Sequence, residues 1–195
     1  GSLTNPTKLA NTFETVKHIS INSKTISRYL DYFEDAFMIS KAQRYDIKGK
    51  SYIESPLKYY FADVGLRNAR LNFRQQEETH IMENVIYNEL CLRGFDVDVG
   101  VVEYSTKTID GKTKRIQREV DFIANKGSNR YYIQSAFAIP DEEKREQETK
   151  VFSKIADSFK KIVVVREDII PWRDDRGILY IGVEQFLLNE ESIDL

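Results

Sequence analysis

The sequence predicts an α/β (α+β) chain in two parts: a mainly helical part closed by a β-hairpin, then a central mixed sheet flanked by helices. Three observations carry this. Ile26, Tyr29, Leu30 and Phe33 recur at three- and four-residue spacing, one face of a helix. Residues 37–53 and 95–139 mix apolar and polar positions as strands do. Lys161-Ile162-Val163-Val164-Val165 ends in an unbroken apolar run, the pattern of a strand covered on both faces and often parallel.

Taken in order, residues 7–13 read as a short helix, with a break at Ser20-Ile21-Asn22. A longer helix runs from Ser23 to Glu34, capped by Asn22 or Ser23, and its polar face offers Lys24, Ser27, Arg28 and Asp31. A strand over Phe37–Ile47 turns at Lys48-Gly49-Lys50-Ser51 and resumes at Tyr52-Ile53. This is the order of a winged helix-turn-helix, with the hairpin as the wing and Lys48 and Lys50 at its tip. Lys24, Ser27, Arg28, Lys48 and Lys50 are the nucleic-acid-binding candidates: the helix would lie in a major groove while the wing tip meets phosphates. Asp31, Glu34 and Asp35 oppose that role, and such modules also serve as spacers or protein contacts. Asp63-Val64-Gly65 turns into another helix, residues 70–77 read as a linker, and the boundary falls near residue 70, giving parts 1–70 and 71–195.

The second part opens with a helix over Glu78–Arg93, ended by Gly94. Strands follow over residues 95–104, 117–124 and 130–139, the first two joined by a turn at Asp110-Gly111-Lys112. A charged helix spans 141–159, with Val151, Phe152, Ile155 and Phe159 inward. After the apolar run come a strand at Ile178–Val183 and a terminal helix to Leu188.

Composition narrows the function classes. Hydrophobic residues at 41%, with 9 Gly and 4 Pro, exclude a disordered or collagen-like chain. The eleven Tyr and eleven Phe read as core packing rather than base stacking. A single cysteine excludes an internal disulfide framework and points to a reducing, cytoplasmic compartment; Cys91, between Leu90 and Leu92, reads as a buried thiol. No apolar run approaches the roughly 20 residues that span a bilayer. The net charge of −2 splits into +4 over residues 1–70 and −6 over residues 71–195, so the first part suits a phosphate backbone better than the second. The start Gly1-Ser2-Leu3 reads as the scar of a removed tag, with the natural chain beginning earlier. No phosphate-binding G-x-x-x-x-G-K-[ST] loop is present, so ATP binding is not expected in this chain. His18 and His80 stand too far apart in sequence to suggest a zinc site.

Helix, three strands, helix, strand, with Glu83 on the first helix, Asp121 on the second strand and Gln134-Ser135-Ala136 on the third, resembles the core of PD-(D/E)XK nucleases over residues 78–165. In that superfamily two acids and a lysine converge on Mg²⁺, which holds the scissile phosphate and the attacking water. The resemblance makes Asp121 and Glu83 the metal candidates. Residues two apart on a strand share a face, so Gln134 and Ala136 stand where the second acid and the lysine belong. The implied site (Glu83, Asp121, Gln134, Ala136) is therefore vestigial, unless Lys144, Lys150 or Lys154 from the next helix replaces the missing lysine.

A wider resemblance runs in order through Leu9-Ala10-Asn11-Thr12, Thr25-Ile26-Ser27-Arg28-Tyr29-Leu30, Lys41–Lys50, Lys58–Asn68, Glu83–Leu90, Glu119–Ala124 and Tyr131–Gln134. These segments are similar to the C-terminal region of a prokaryotic AAA-type ATPase family. That similarity implies an ATPase domain earlier on the same polypeptide, which would hold the ATP. The expectation is a nucleic-acid-binding or substrate-recognition module. The alternatives are a protein-interaction or homo-oligomerisation module and a Mg²⁺-dependent nuclease.

Overall fold

A computed structural model of the chain describes residues 2–74, 77–107 and 110–195. It is an α+β structure with one eight-stranded mixed sheet and, among the described residues, six α-helices. Helix α1 spans Pro6–Lys17, four residues further than the apolar pattern indicates. Asn5 caps it by accepting from the Lys8 N–H, and it ends only where His18 turns left-handed at φ 55°. Helix α2, Ser23–Asp35, is capped by Asn22, which accepts from the Lys24 N–H. Strands β1 (Ile39–Asp46) and β2 (Ser51–Phe61) form the antiparallel hairpin. Asp63 caps α3 (Val64–Arg70) through the N–H groups of Gly65 and Leu66.

Helix α4 runs from Glu78 to Leu92 and is closed by Gly94 at φ 79°, a backbone shape that favours glycine. Next come β3 (Asp96–Lys107), β4 (Thr113–Lys126), β5 (Asn129–Ala136) and α5 (Glu142–Thr149). The charged helix expected to reach 159 stops at Thr149. Val151, Phe152 and Ile155 enter the core through a 3₁₀ turn at Phe152–Lys154, after which Ile155 is extended. Strand β6 (Lys160–Val165), β7 (Trp172–Arg173), β8 (Leu179–Gly182) and α6 (Val183–Leu188) complete the regular elements. No helix among the described residues is long and apolar enough to cross a membrane.

The sheet order is β2-β1-β3-β4-β5-β6-β8-β7. Strand β1 lies parallel to β3 from Arg44 opposite Val99 to Asp46 opposite Val101, and the Ile47 N–H donates to the Val101 carbonyl at 2.9 Å. The hairpin is thus built into the sheet of the second part and does not stand free as a wing. The pairing satisfies backbone groups on the edges of both β1 and β3. The line drawn near residue 70 separates two stretches of chain that share this sheet.

Each face of the sheet carries a core. Met82, Ile86 and Leu90 of α4 pack with Phe122, Ile133, Ile162 and Val164 on one face. Val120, Ile123, Val163 and Val165 pack with Val151 and Phe152 on the other. Alternate residues of β6 thus enter opposite cores, and β6 lies parallel to both β5 and β8, as its apolar run indicates. Cys91 is exposed rather than buried, because it lies one position round the helix from the fully buried Leu90.

Candidate functional site

Strand β2 brings an unexpected residue inward. Lys58 and Tyr60, two apart on the strand, are both buried. Helix α4 holds this strand end: Asn84 accepts from the Phe61 N–H at 2.8 Å and donates to the Phe61 carbonyl at 2.7 Å. Asn88 donates to the same carbonyl at 3.0 Å. The Tyr60 ring stacks on Tyr87 of α4 with centroids 4.1 Å apart. These contacts fix Lys58 beside Glu83 of α4.

Strand β4 delivers Asp121 through an irregularity. Asp98 pairs with Ile123 and Gly100 with Val120, so Val99 alone faces both Asp121 and Phe122, a bulge. Gly100 allows the close approach: a Cβ there would lie 3.0 Å from the Val120 Cβ and 3.1 Å from Ile123. On the other side, the β4–β5 ladder ends at Phe122 opposite Ile133. Beyond it the Ser135 N–H donates to Asp121 Oδ2 at 3.0 Å, and the Asp121 N–H approaches Gln134 Oε1 at 3.4 Å.

At this junction Lys58 Nζ lies 2.9 Å from Glu83 Oε1 and 3.3 Å from Asp121 Oδ1. Glu83 Oε1 also accepts from the Tyr60 hydroxyl at 2.7 Å. Burial works to lower the Lys58 pKa, but Asp121 and Glu83 outweigh it and hold Lys58 above its ordinary value. Burial likewise works to raise Glu83, yet Lys58 and the Tyr60 hydroxyl keep it below the usual carboxylate range. Burial raises Asp121 to about 6, with the Glu83 charge adding to the rise and Lys58 opposing it. One ammonium serves two carboxylates; Glu83, nearer and doubly bonded, stays ionised, and Asp121 takes up a proton first.

Glu83, Asp121 and Gln134 therefore meet, and they line one cavity of about 710 Å³ between α4 and the start of α5. Ala136 is not on its wall; it lies in the core with Val163 and Val165. Lys144 reaches the cavity but pairs with Glu148 at 2.6 Å, while Lys154 lies over the Tyr104 ring at 5.3 Å and Lys150 is exposed beyond α5. The lysine at the acids is instead Lys58, from a strand more than sixty residues earlier. The signal that could have found it is a lysine in phase with Tyr60 on an otherwise apolar strand end.

The donor set leaves few free carboxylate oxygens for the Mg²⁺ that the resemblance implies. Glu83 Oε1 and Asp121 Oδ1 already face an ammonium, Asp121 Oδ2 is engaged by a backbone N–H, and Gln134 supplies no charge. Among the described residues no group of three or more His, Cys, Asp or Glu is arranged to hold a metal ion.

The nucleic-acid candidates sit elsewhere. Lys24 and Arg28 are exposed on α2, and Ser27 is half-buried beside them. Lys48 and Lys50 are exposed on the turn of the hairpin, which Asp46 tightens by accepting from the Lys48 N–H.

Three comparisons bear on this arrangement. Residues 1–77 match the family described as Domain of unknown function (DUF8612), a match that ends just before α4 begins. The chain is 37% identical over 189 residues to an uncharacterized protein of Haemophilus influenzae, covering 97% of this chain and 43% of that protein. It is 31% identical over 185 residues to the uncharacterized protein MJ1544 of Methanocaldococcus jannaschii, covering 95% of this chain and 37% of that protein. The chain thus spans less than half the length of these relatives, and in both the likeness runs through the hairpin and the second part together. No solved structure matches.

Proposed function

We propose that this chain is the nucleic-acid- or substrate-recognition part of a larger ATP-driven protein, carried on a nuclease-like scaffold that does not cleave. The observation that carries this is Lys58, whose ammonium lies between Glu83 and Asp121 where a metal-dependent nuclease would need a divalent cation. The order α4-β3-β4-β5-α5-β6, antiparallel through β5 and parallel at β6, supports the scaffold reading. So does the meeting of an α4 acid and a β4 acid where β4 and β5 part. The order α1, α2, hairpin supports a winged helix fused into that sheet. Relatives more than twice as long leave room for the ATPase domain and its ATP. The reducing compartment suggested by the single cysteine makes the cytoplasm the proposed location.

Supercoiled DNA incubated with the chain and Mg²⁺ or Mn²⁺ tests the first half of the reading; it is expected to stay intact. Cleavage that disappears in Asp121→Ala would overturn it and make Lys58 the lysine of an active nuclease. Fluorescence anisotropy of labelled duplex tests the second half: binding that weakens steeply with salt is expected, and none at low salt would remove it.

A specific observation favours a second reading, a protein-interaction module. The α1–α2 region exposes Val16 (64%), Tyr32 (56%) and Phe37 (86%), an apolar surface of the kind that another polypeptide covers. Light scattering across a concentration series tests it. A dimer that dissociates in Tyr32→Asp with Phe37→Asp supports homo-oligomerisation, and a monomer throughout opposes it.

A further inference from the structure

The cavity at the Lys58 site is a poor place for a phosphate backbone. Its wall carries Glu83, Asp121, Asp141, Glu143 and Glu148, and Lys144 is spent on Glu148. If the recognition reading holds, the phosphates must be met on another surface.

The strand that carries Asp121 provides one. Strand β1 leaves β3 after Val101, and β5 leaves β4 at Phe122. Beyond those points β3 and β4 pair only with each other, from Val102 opposite Arg118 to Lys107 opposite Thr113. Six such pairs make a two-stranded ribbon about 17 Å long. Its described residues from 103 to 118 carry Lys107, Lys112, Lys114, Arg115 and Arg118 against Glu103 and Asp110.

Alternation sorts the ribbon into faces. One face shows Lys114, Ile116 and Arg118 from β4 with Tyr104 and Thr106 from β3, and no carboxylate. Arg118 Nε donates to the Tyr104 hydroxyl at 3.2 Å, which orients the guanidinium and leaves its two terminal nitrogens for a ligand. Lys154 reaches the same ring from the 3₁₀ turn after α5, at 5.3 Å from its centroid. None of Lys114, Arg118 and Lys154 pairs with a carboxylate among the described residues.

We propose that this face of the ribbon is a phosphate-contacting arm for double-stranded nucleic acid, an inference that rests on the recognition reading. The chemistry is three cations around a phenol, two on a narrow strand pair and the third reaching in from the 3₁₀ turn. A major groove about 12 Å wide admits a two-stranded ribbon, and lysine and arginine on its flank meet the backbone oxygens. Among the described residues the face carries no large exposed apolar side chain to enter a bilayer, which favours nucleic acid over an anionic membrane.

The test is anisotropy of a labelled duplex at several salt concentrations with the wild-type chain, Lys114→Glu with Arg118→Glu, and Lys24→Glu with Arg28→Glu. Circular dichroism and thermal melting check that each variant is folded. The ribbon variant is expected to bind about tenfold more weakly or worse, with the slope of log affinity against log salt flattened by about two, one unit per lost phosphate contact. A folded ribbon variant that binds as the wild type does, while the wild type binds duplex, overturns the arm and leaves the recognition reading standing. A wild type that does not bind duplex overturns both. Binding to vesicles of phosphatidylserine and phosphatidylcholine without duplex binding overturns the arm in favour of a membrane surface.

Discussion

Along β4 the chain passes from a ribbon in solvent, Thr113–Arg118, into a strand buried in the sheet, Val120–Ala124, and both halves carry charge. In the buried half the single charge, Asp121, comes with a cation from β2, a second acid from α4 and a backbone donor from β5. In the ribbon half Lys114, Arg115 and Arg118 stand without a carboxylate partner among the described residues, on a strand pair to which no other described strand pairs. Desolvation decides the difference. A buried ion must be paired and hydrogen-bonded to be tolerated at all, whereas a solvated one needs no partner and can be kept for a ligand. The inner half of β4 is therefore a paired, desolvated ion group, and the outer half a solvated basic surface.

The largest effect that would break this contrast is loss of the inner cation. Lys58→Met leaves Glu83 and Asp121 facing each other across a buried junction and should cost about 3–5 kcal/mol, read by urea or thermal denaturation. Neutralising the whole group, with Glu83→Gln and Asp121→Asn added, should recover most of that loss, because no unpaired buried charge remains. A Lys58→Met protein as stable as the wild type would show that the ion group is solvated and that the contrast is false.

The next effect is a pH dependence. Burial holds Asp121 near 6 in the folded chain, above its unfolded value of about 4, so the folded state binds the extra proton between those limits. The stability this contributes is present below pH 4 and lost as pH rises through 6. Measured against Asp121→Asn, the wild type should lose roughly 2 kcal/mol between pH 4 and 7, so the variant is at least as stable at neutral pH despite giving up an ion pair. A difference that instead grows with pH would mean that Lys58 outweighs burial at Asp121. Glu83→Gln comes third. The amide oxygen can still accept from Tyr60 and Lys58 but loses the charge, and a cost of about 2 kcal/mol at pH 7 is expected in the same melts.

Much of this was legible in local pattern. Alternation marks β3, β4 and β5, and the run at 162–165 marks a two-sided parallel strand, because side-chain periodicity is set by the strand itself. Glu83 and Asp121 stand out as acids on apolar elements, and the structure brings them together. Lys58 and the union of hairpin and sheet were not legible, since both depend on β1 pairing with β3 some fifty residues later. Long-range register leaves no mark in a window of ten residues. The ribbon escaped for another reason: a net −6 over residues 71–195 averages the acids of α4 and α5 with the cations at 107–118. Charge acts over about a Debye length, roughly 10 Å in ordinary buffer, so the sum over a domain conceals the field at one arm.

The smallest expected effect sharpens the contrast from the other side. Lys114→Gln and Arg118→Gln, singly or together, should change stability by no more than about 0.5 kcal/mol. Arg118→Gln removes one hydrogen bond to the Tyr104 hydroxyl at an exposed position, where water replaces the lost donor. Relieving repulsion among Lys114, Arg118 and Lys154 offsets part of that loss. Thermal melts at low and high salt check this, since any stabilisation from relieved repulsion should fade as salt rises. A cost of 2 kcal/mol or more would mean that these cations hold the ribbon to the body of the protein, making the outer half of β4 as structural as the inner half.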